Sequence, residues 1–258
     1  MKRNPIVLLF ILVSLMAASC DKLTNGEPVS ENRNVSRFNT ISIYNNVNVR
    51  LVESDHPHLE LTCPRNLIDN IVTDVKGDTL FIKNENRYNW LRSFDYSIDL
   101  TVFYSTLREI KFASIGDLVG TDSIKGVREQ GIDTTDIGSE TIWTNNFYLN
   151  IVEGCGDIDL TLNCDVLKNG FNNGTSCVTL RGKAGYSEFL SRSYGVIHAE
   201  QLESNFIRVQ SESTNDVFVW AKTGLRAWLY SIGNVYYKGS PTITIEACEN
   251  DGRLIPLQ

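Results

Sequence analysis

Few residues in this chain have the types and spacing that chemistry requires. Asp157 and Asp159 in "CGDIDL", and Asp133 and Asp136 in "DTTDIG", offer paired carboxylates of the kind glycoside-cleaving enzymes use. Residues two apart on a strand share a face. Without a distinctive pocket, however, the same pairs fit a solvated face or a polar corner. His56 and His58 in "HPH" flank Pro57 in a polar loop with no third ligand, and His198 stands alone. Beyond Cys20 come Cys63, Cys155, Cys164, Cys177 and Cys248, an odd set that cannot pair completely within one chain and has no zinc-like spacing. Cys177 is expected to point inward as a small buried hydrophobe. No catalytic residue, metal or cofactor is read from these groups.

Aromatic side chains give the better binding signal. Trp220, Trp228, Tyr230, Tyr236 and Tyr237 fall close together, and their faces suit stacking against sugar rings or a partner protein. Strand alternation also sends part of such a set inward, and Tyr186, Tyr194 and Phe206 are expected in the core.

The elements that must position these residues are almost all strands. "FNTISIYNNVNVRLVES" alternates Phe38, Ile41, Ile43 and then Val47, Val49, Leu51 around a turn. "LIDNIVTDVKGDTLFIKN" and "YSIDLTVFYSTLREIKFASIG" continue the pattern. Leu67 to Val72 is the one stretch with a helical option, and "NENRYNWLRSF" reads as an exposed excursion.

From residue 114 a small or polar turn followed by alternating apolar residues recurs: "SIGDL", "CGDIDL", "GTSCVTL", "YGVIHA", "TNDVFVW", "SIGNVYYKGSP". The first apolar residues after each turn are Leu118, the neighbourhood of Ile142, Ile158, Cys177, Val196, Val217 and Val235, with clean intervals of 19, 19, 21 and 18. A period near 20 exceeds any hairpin and matches one coil of a solenoid. Twenty residues trace about 66 Å, enough for two or three short strands with corners, and coils stack about 4.8 Å apart. Asp117, Asp157, Ser176, Asp216 and Asn234 are then expected to stack at a polar corner. Gly116, Gly138, Gly156, Gly174, Gly195 and Gly233 are expected to make the tight turns.

Residues 1–19 form a secretory signal: Lys2 and Arg3, an apolar run of 11 residues from Ile6 to Met16, then small residues. That run is too short for a bilayer core. Cys20 after Ala17, Ala18 and Ser19 resembles a lipoprotein lipobox, which implies a lipid anchor on Cys20 and the membrane as a partner. Residues 20–36 read as a flexible polar tether. Without Lys2 and Arg3 the chain keeps 22 basic against 31 acidic residues, a net charge of −9, which argues against nucleic acid.

The segments "FNTISIYNNVNVRLVES", "NLIDNIVTDVKGDTLFIKNEN", "SIDLTVFYSTLREIKFASIGDL" and "SIGNVYYKGSPTI" resemble the head GIN domain family of auto-transporter adhesin-like envelope proteins, common in Bacteroidetes. The likeness spans roughly Arg37 to Ile243. It implies an all-β, right-handed parallel β-helix-like solenoid with coils of about 18 to 22 residues, here over 37–243, followed by a tail or cap over 244–258. It implies no catalytic residue. "ASIGD" stands where Gly/Ala-rich turns are usual, and "NENRYNWLRSF" lengthens a loop. "DTL" at Asp78, "DSI" at Asp122 and "DTT" at Asp133 resemble the O-glycosylation triplets of such envelope proteins, making Ser123 and Thr134 candidate acceptors. The functional expectation is a lipid-anchored protein of the cell envelope, on the outer membrane, that binds a glycan or an envelope or host protein or acts structurally. The competing expectation is a carbohydrate-active β-helix enzyme, which requires carboxylates converging about 5 to 10 Å apart in a groove.

Overall fold

The computed structural model describes residues 26–87, 96–132 and 141–257. Its strands form an 18-stranded sheet, curled so that each coil of chain contributes two limbs. In the first full coil the limbs are β2 (Thr40–Asn45) and β3 (Asn48–Glu53), preceded by β1 (Pro28–Asn34). Next come β4 (His58–Pro64), β5 (Ile71–Lys76), β6 (Thr79–Asn84) and β7 (Asp99–Tyr104). The second coil is β8 (Glu109–Ser114) and β9 (Leu118–Ile124), with β10 (Val127–Ile132) leading into β11 (Thr141–Gly154). Four long bent strands follow: β12 (Ile158–Gly174), β13 (Val178–Arg192), β14 (Ile197–Ser211) and β15 (Val217–Leu229). The chain closes on β16 (Val235–Lys238), β17 (Thr242–Cys248) and β18 (Leu254–Pro256). No α-helix occurs among the described residues, and Leu67 to Val72 holds only a 3₁₀ turn, Ile68–Asn70.

Parallel pairing carries one position through the stack. Leu118, Ile158, Val178, Ile197, Val217, Val235 and Leu254 are successive register partners. From Ile158 onward they are 20, 19, 20, 18 and 19 residues apart. Ile43, Phe112, Ile151, Phe171, Ser191, Ser211, Leu229 and Cys248 do the same in the other limb. The enclosed residues form one continuous core in which Phe112, Phe147, Phe171 and Phe189 are fully buried. Each such side chain contributes about 1.5–3 kcal/mol.

The solenoid and its period stand as the sequence implies, with shifts of detail. Val178 and Ile197 occupy the column, not Cys177 and Val196: Ser176 is the buried residue and Cys177 is half-buried. A one-residue slip inverts every face of a strand, so a small residue at a turn is enough to mislead the alignment. Ile142 is not in the column at all. It pairs antiparallel with Gly131, and the coil between Leu118 and Ile158 is 40 residues long. Tyr194 is not in the core but 68% exposed at a turn tip, while Tyr186 and Phe206 lie half-buried on an outer face, stacked with centroids 6.0 Å apart.

The N-terminal end differs from expectation. Residues 28–34 of the expected tether pair antiparallel with β4, ordered by backbone bonds that composition does not register. Arg33 anchors this strand with bonds from Nη1 to Thr73 Oγ1 at 3.0 Å and from Nη2 to Ile68 O at 3.2 Å. At the other end, β17 and β18 continue the stack on β15 and β16.

Close stacking makes some glycines obligatory. A Cβ on Gly195 would lie 2.0 Å from Ser176 O and 2.6 Å from the Phe171 ring. Gly195→Ala therefore forces coils apart at a filled core, and we expect a loss of about 1–3 kcal/mol in chemical denaturation. An unchanged midpoint would contradict the stacking.

Candidate functional site

Three of the turns that join the limbs are built the same way. The Ser114 hydroxyl accepts the Gly116 N–H at 3.1 Å, the Ser193 hydroxyl that of Gly195 at 3.4 Å, and the Ser213 hydroxyl that of Asn215 at 3.0 Å. This is the local turn that short hydroxyl side chains favour. Ser213 Oγ also donates to Ser193 O of the preceding coil at 2.6 Å.

The next position forms a ladder between coils. Asp117 N–H donates to Asn48 Oδ1 (3.1 Å), Asp157 N–H to Asp117 Oδ1 (2.9 Å) and Cys177 N–H to Asp157 Oδ1 (3.2 Å). After a break at Val196, Asn234 N–H donates to Asp216 Oδ1 (2.8 Å) and Arg253 N–H to Asn234 Oδ1 (3.1 Å). Asp117, Asp157, Asp216 and Asn234 thus sit where expected, and Ser176 lies inside the corner instead.

Those contacts also account for the candidate carboxylates. Asp157 serves the ladder, and Asp159 is paired with the Arg181 guanidinium of the next coil. Asp133 and Asp136 lie outside the described residues. His58 stacks on Phe103 at 4.0 Å, its Nδ1 2.9 Å from His56 O, and no cluster of three or more potential metal ligands occurs among the described residues. A cavity of about 240 Å³ beside β1 and β4 is lined by Gly26, Pro28, Thr62, Cys63, Pro64, Tyr96 and Ser97, with neither carboxylate nor histidine.

The five aromatic candidates are not brought into a single strip. Trp220 and Tyr236 are on the outer side of one limb, with Lys238 Nζ 4.0 Å from the Trp220 ring centroid. Trp228 lies on the other limb under the Arg208 guanidinium, 4.6 Å away. Tyr230 follows at the end of that limb, and Tyr237 packs against the core. An unexpected ladder joins the first group: His198 on Phe218 and Phe218 on Tyr236, each 4.9 Å apart and nearly parallel. The signal for it was present in the spacings 198, 218 and 236, which match the repeat. His198 Nδ1 also lies 3.3 Å from Glu200 Oε1. Ser123 is half-buried in β9; Thr134 and Cys20 lie outside the described residues.

Fold and surface together define a β-helix-like solenoid in which the described candidate carboxylates, Asp157 and Asp159, serve contacts between coils. The chain belongs to the family described as putative auto-transporter adhesin, head GIN domain, which matches residues 37–241. Its fold is similar to that of a putative adhesin from Bacteroides fragilis, at 22% identity, a TM-score of 0.76, and coverage of 91% of this chain and 99% of that one. It is also similar to a putative adhesin from Parabacteroides distasonis, at 17% identity, TM-score 0.61 and the same coverages. A third neighbour, a putative lipid binding protein from the same organism, shares 17% identity at TM-score 0.59, covering 91% of this chain and 98% of that one. No curated protein matches. The family description is that of an extracellular or envelope protein and names no reaction.

The five described thiols are free. Burial pushes Cys164 up to about 12 and Cys63 up to about 11, which suppresses the reactive thiolate. At pH 8, iodoacetamide should label exposed Cys155 and Cys248 and spare Cys63 and Cys164 until the chain is denatured, as peptide mass spectrometry would read. Rapid native labelling of Cys164 would refute the packed coil.

Proposed function

We propose that the protein is a lipoprotein of the cell envelope, held at the outer membrane by lipid on Cys20, whose solenoid binds a glycan or an envelope or host protein and catalyses no reaction. One observation carries the binding reading. Asp157 and Asp159 are engaged between coils, whereas Trp220 and Trp228 stay half-exposed on the outer faces, each beside a cation. An indole next to a lysine or arginine offers apolar contact and positive charge together, which suits an acidic sugar or an acidic protein surface.

Cys20→Ala is expected to move the protein from the membrane fraction to the soluble fraction, and retention in the membrane would sink the anchor. Protease treatment of intact cells then decides which side the solenoid faces. For binding, the purified chain is screened on glycans and matrix proteins. Trp220→Ala and Trp228→Ala should weaken any ligand found by about tenfold, the scale of a central aromatic contact. Undiminished binding by both variants would remove these faces from the function.

A further inference from the structure

The two ends of the solenoid are finished differently. Edge strands expose unpaired backbone groups, and proteins guard them with proline, charge or cover. At the N-terminal end the edge strand β1 carries Pro28, Glu31 and Arg33, and Arg33 bridges to the residues of β5. At the C-terminal end β18 carries Pro256 and is three residues long. The remaining limb ends on β17, "TITIEAC", paired to β15 on one side only. It has no proline and no lysine. Its one charge, Glu246, is already matched by Arg226 Nε at 3.2 Å.

Ile243 and Ile245 of β17 stand opposite Leu225 and Ala227, so they face the core side of the sheet. With no further coil above them they are 40% and 52% exposed. The last layer of the core is therefore open to solvent beside a neutral, unguarded strand.

We propose that a second copy of this chain covers this end, β17 pairing antiparallel with β17 about a twofold axis at Thr244. That register sets Ile243 against the second copy's Ile245, continues the core across both chains, and opposes Glu246 to Thr242, so no like charges meet. The N-terminal edges β1 and β5 carry Pro28, Arg33, Asp74 and Lys76 against strand addition, so contact runs open end to open end. Such an isologous contact closes as a dimer instead of growing into a filament. Glu246 is the bulged residue, with no register partner on β15, which confines regular pairing to residues 242–245.

The test uses the full-length protein in mild detergent, followed by sedimentation and by photo-crosslinking from Thr244→benzoylphenylalanine, with Glu31→benzoylphenylalanine as control. The expected result is a dimer whose crosslinked peptides join two β17 segments, with none from Glu31. Ile245→Lys should raise the dissociation constant at least about tenfold, since it places a charge in the new core, while leaving the melting temperature of the monomer unchanged. A monomer at all concentrations to about 100 μM, a dimer untouched by Ile245→Lys, or a Thr244 crosslink to a different protein would each overturn the proposal.

Discussion

The separation of about 4.8 Å between backbone-paired coils governs this molecule. Once Leu118, Ile158 and Val178 are locked in register, positions between the local register shifts are placed over their counterparts one coil away. Apolar positions become continuous columns, and turns become stacks in which, on either side of Val196, a backbone N–H lies within reach of the preceding side chain. The Asp117 and Asp157 carboxylates are useful there because they are short acceptors at the right height. The same distance excludes side chains where carbonyls approach: a Cβ on Gly156 would lie 2.0 Å from Gly116 O. Core, corner and glycine pattern are thus three consequences of one spacing.

That spacing also shapes what the surface can do. Groups that would be independent on an irregular protein are here partners of their own repeats. Asp159 meets Arg181, Glu188 meets Arg208 at 3.6 Å, and Glu203 meets Lys222 at 3.3 Å, all between neighbouring coils. Aromatic residues behave likewise. In the His198, Phe218, Tyr236 ladder the ring faces are turned toward one another, so the rings present mainly edges to solvent. Trp220 and Trp228 differ because each has a cation over the ring, giving a surface of mixed character.

Much of this was legible in the sequence, because a translational repeat writes its geometry directly into residue spacing. The all-β solenoid, its period near 20 and the acidic corner ladder followed from turns such as "SIGD" and "SIGN". What escaped was phase. Cys177 and Val178 are both apolar, and only the three-dimensional register places Val178 inward and Cys177 half-out. Tyr194 misleads for a related reason: it is the middle residue of a Ser-x-Gly turn, where the outward tip overrides the expectation that tyrosine is buried. The aromatic set divided between limbs because a bend within β15 separates Trp220 from Trp228, and residue spacing does not record the direction of a bend.

The ends of the chain were the least legible part, and the reason is physical. Composition reports whether a segment can bury apolar area, and residues 28–34 cannot; their order comes from backbone pairing with β4 and from Arg33, neither of which has a periodic signature. Inside the stack each coil is satisfied by the coils on either side, so sequence and structure repeat together. At a terminus that symmetry fails and the missing neighbour must be replaced by a device specific to the chain. The N-terminal end uses antiparallel strands, and the C-terminal end shortens β18 and places Pro256 on it. β17 carries no such device, although its isoleucines continue the core pattern unbroken. A strand that keeps the interior pattern after the interior has ended is arranged for a neighbour, and that distinguishes it from every guarded edge among the described residues.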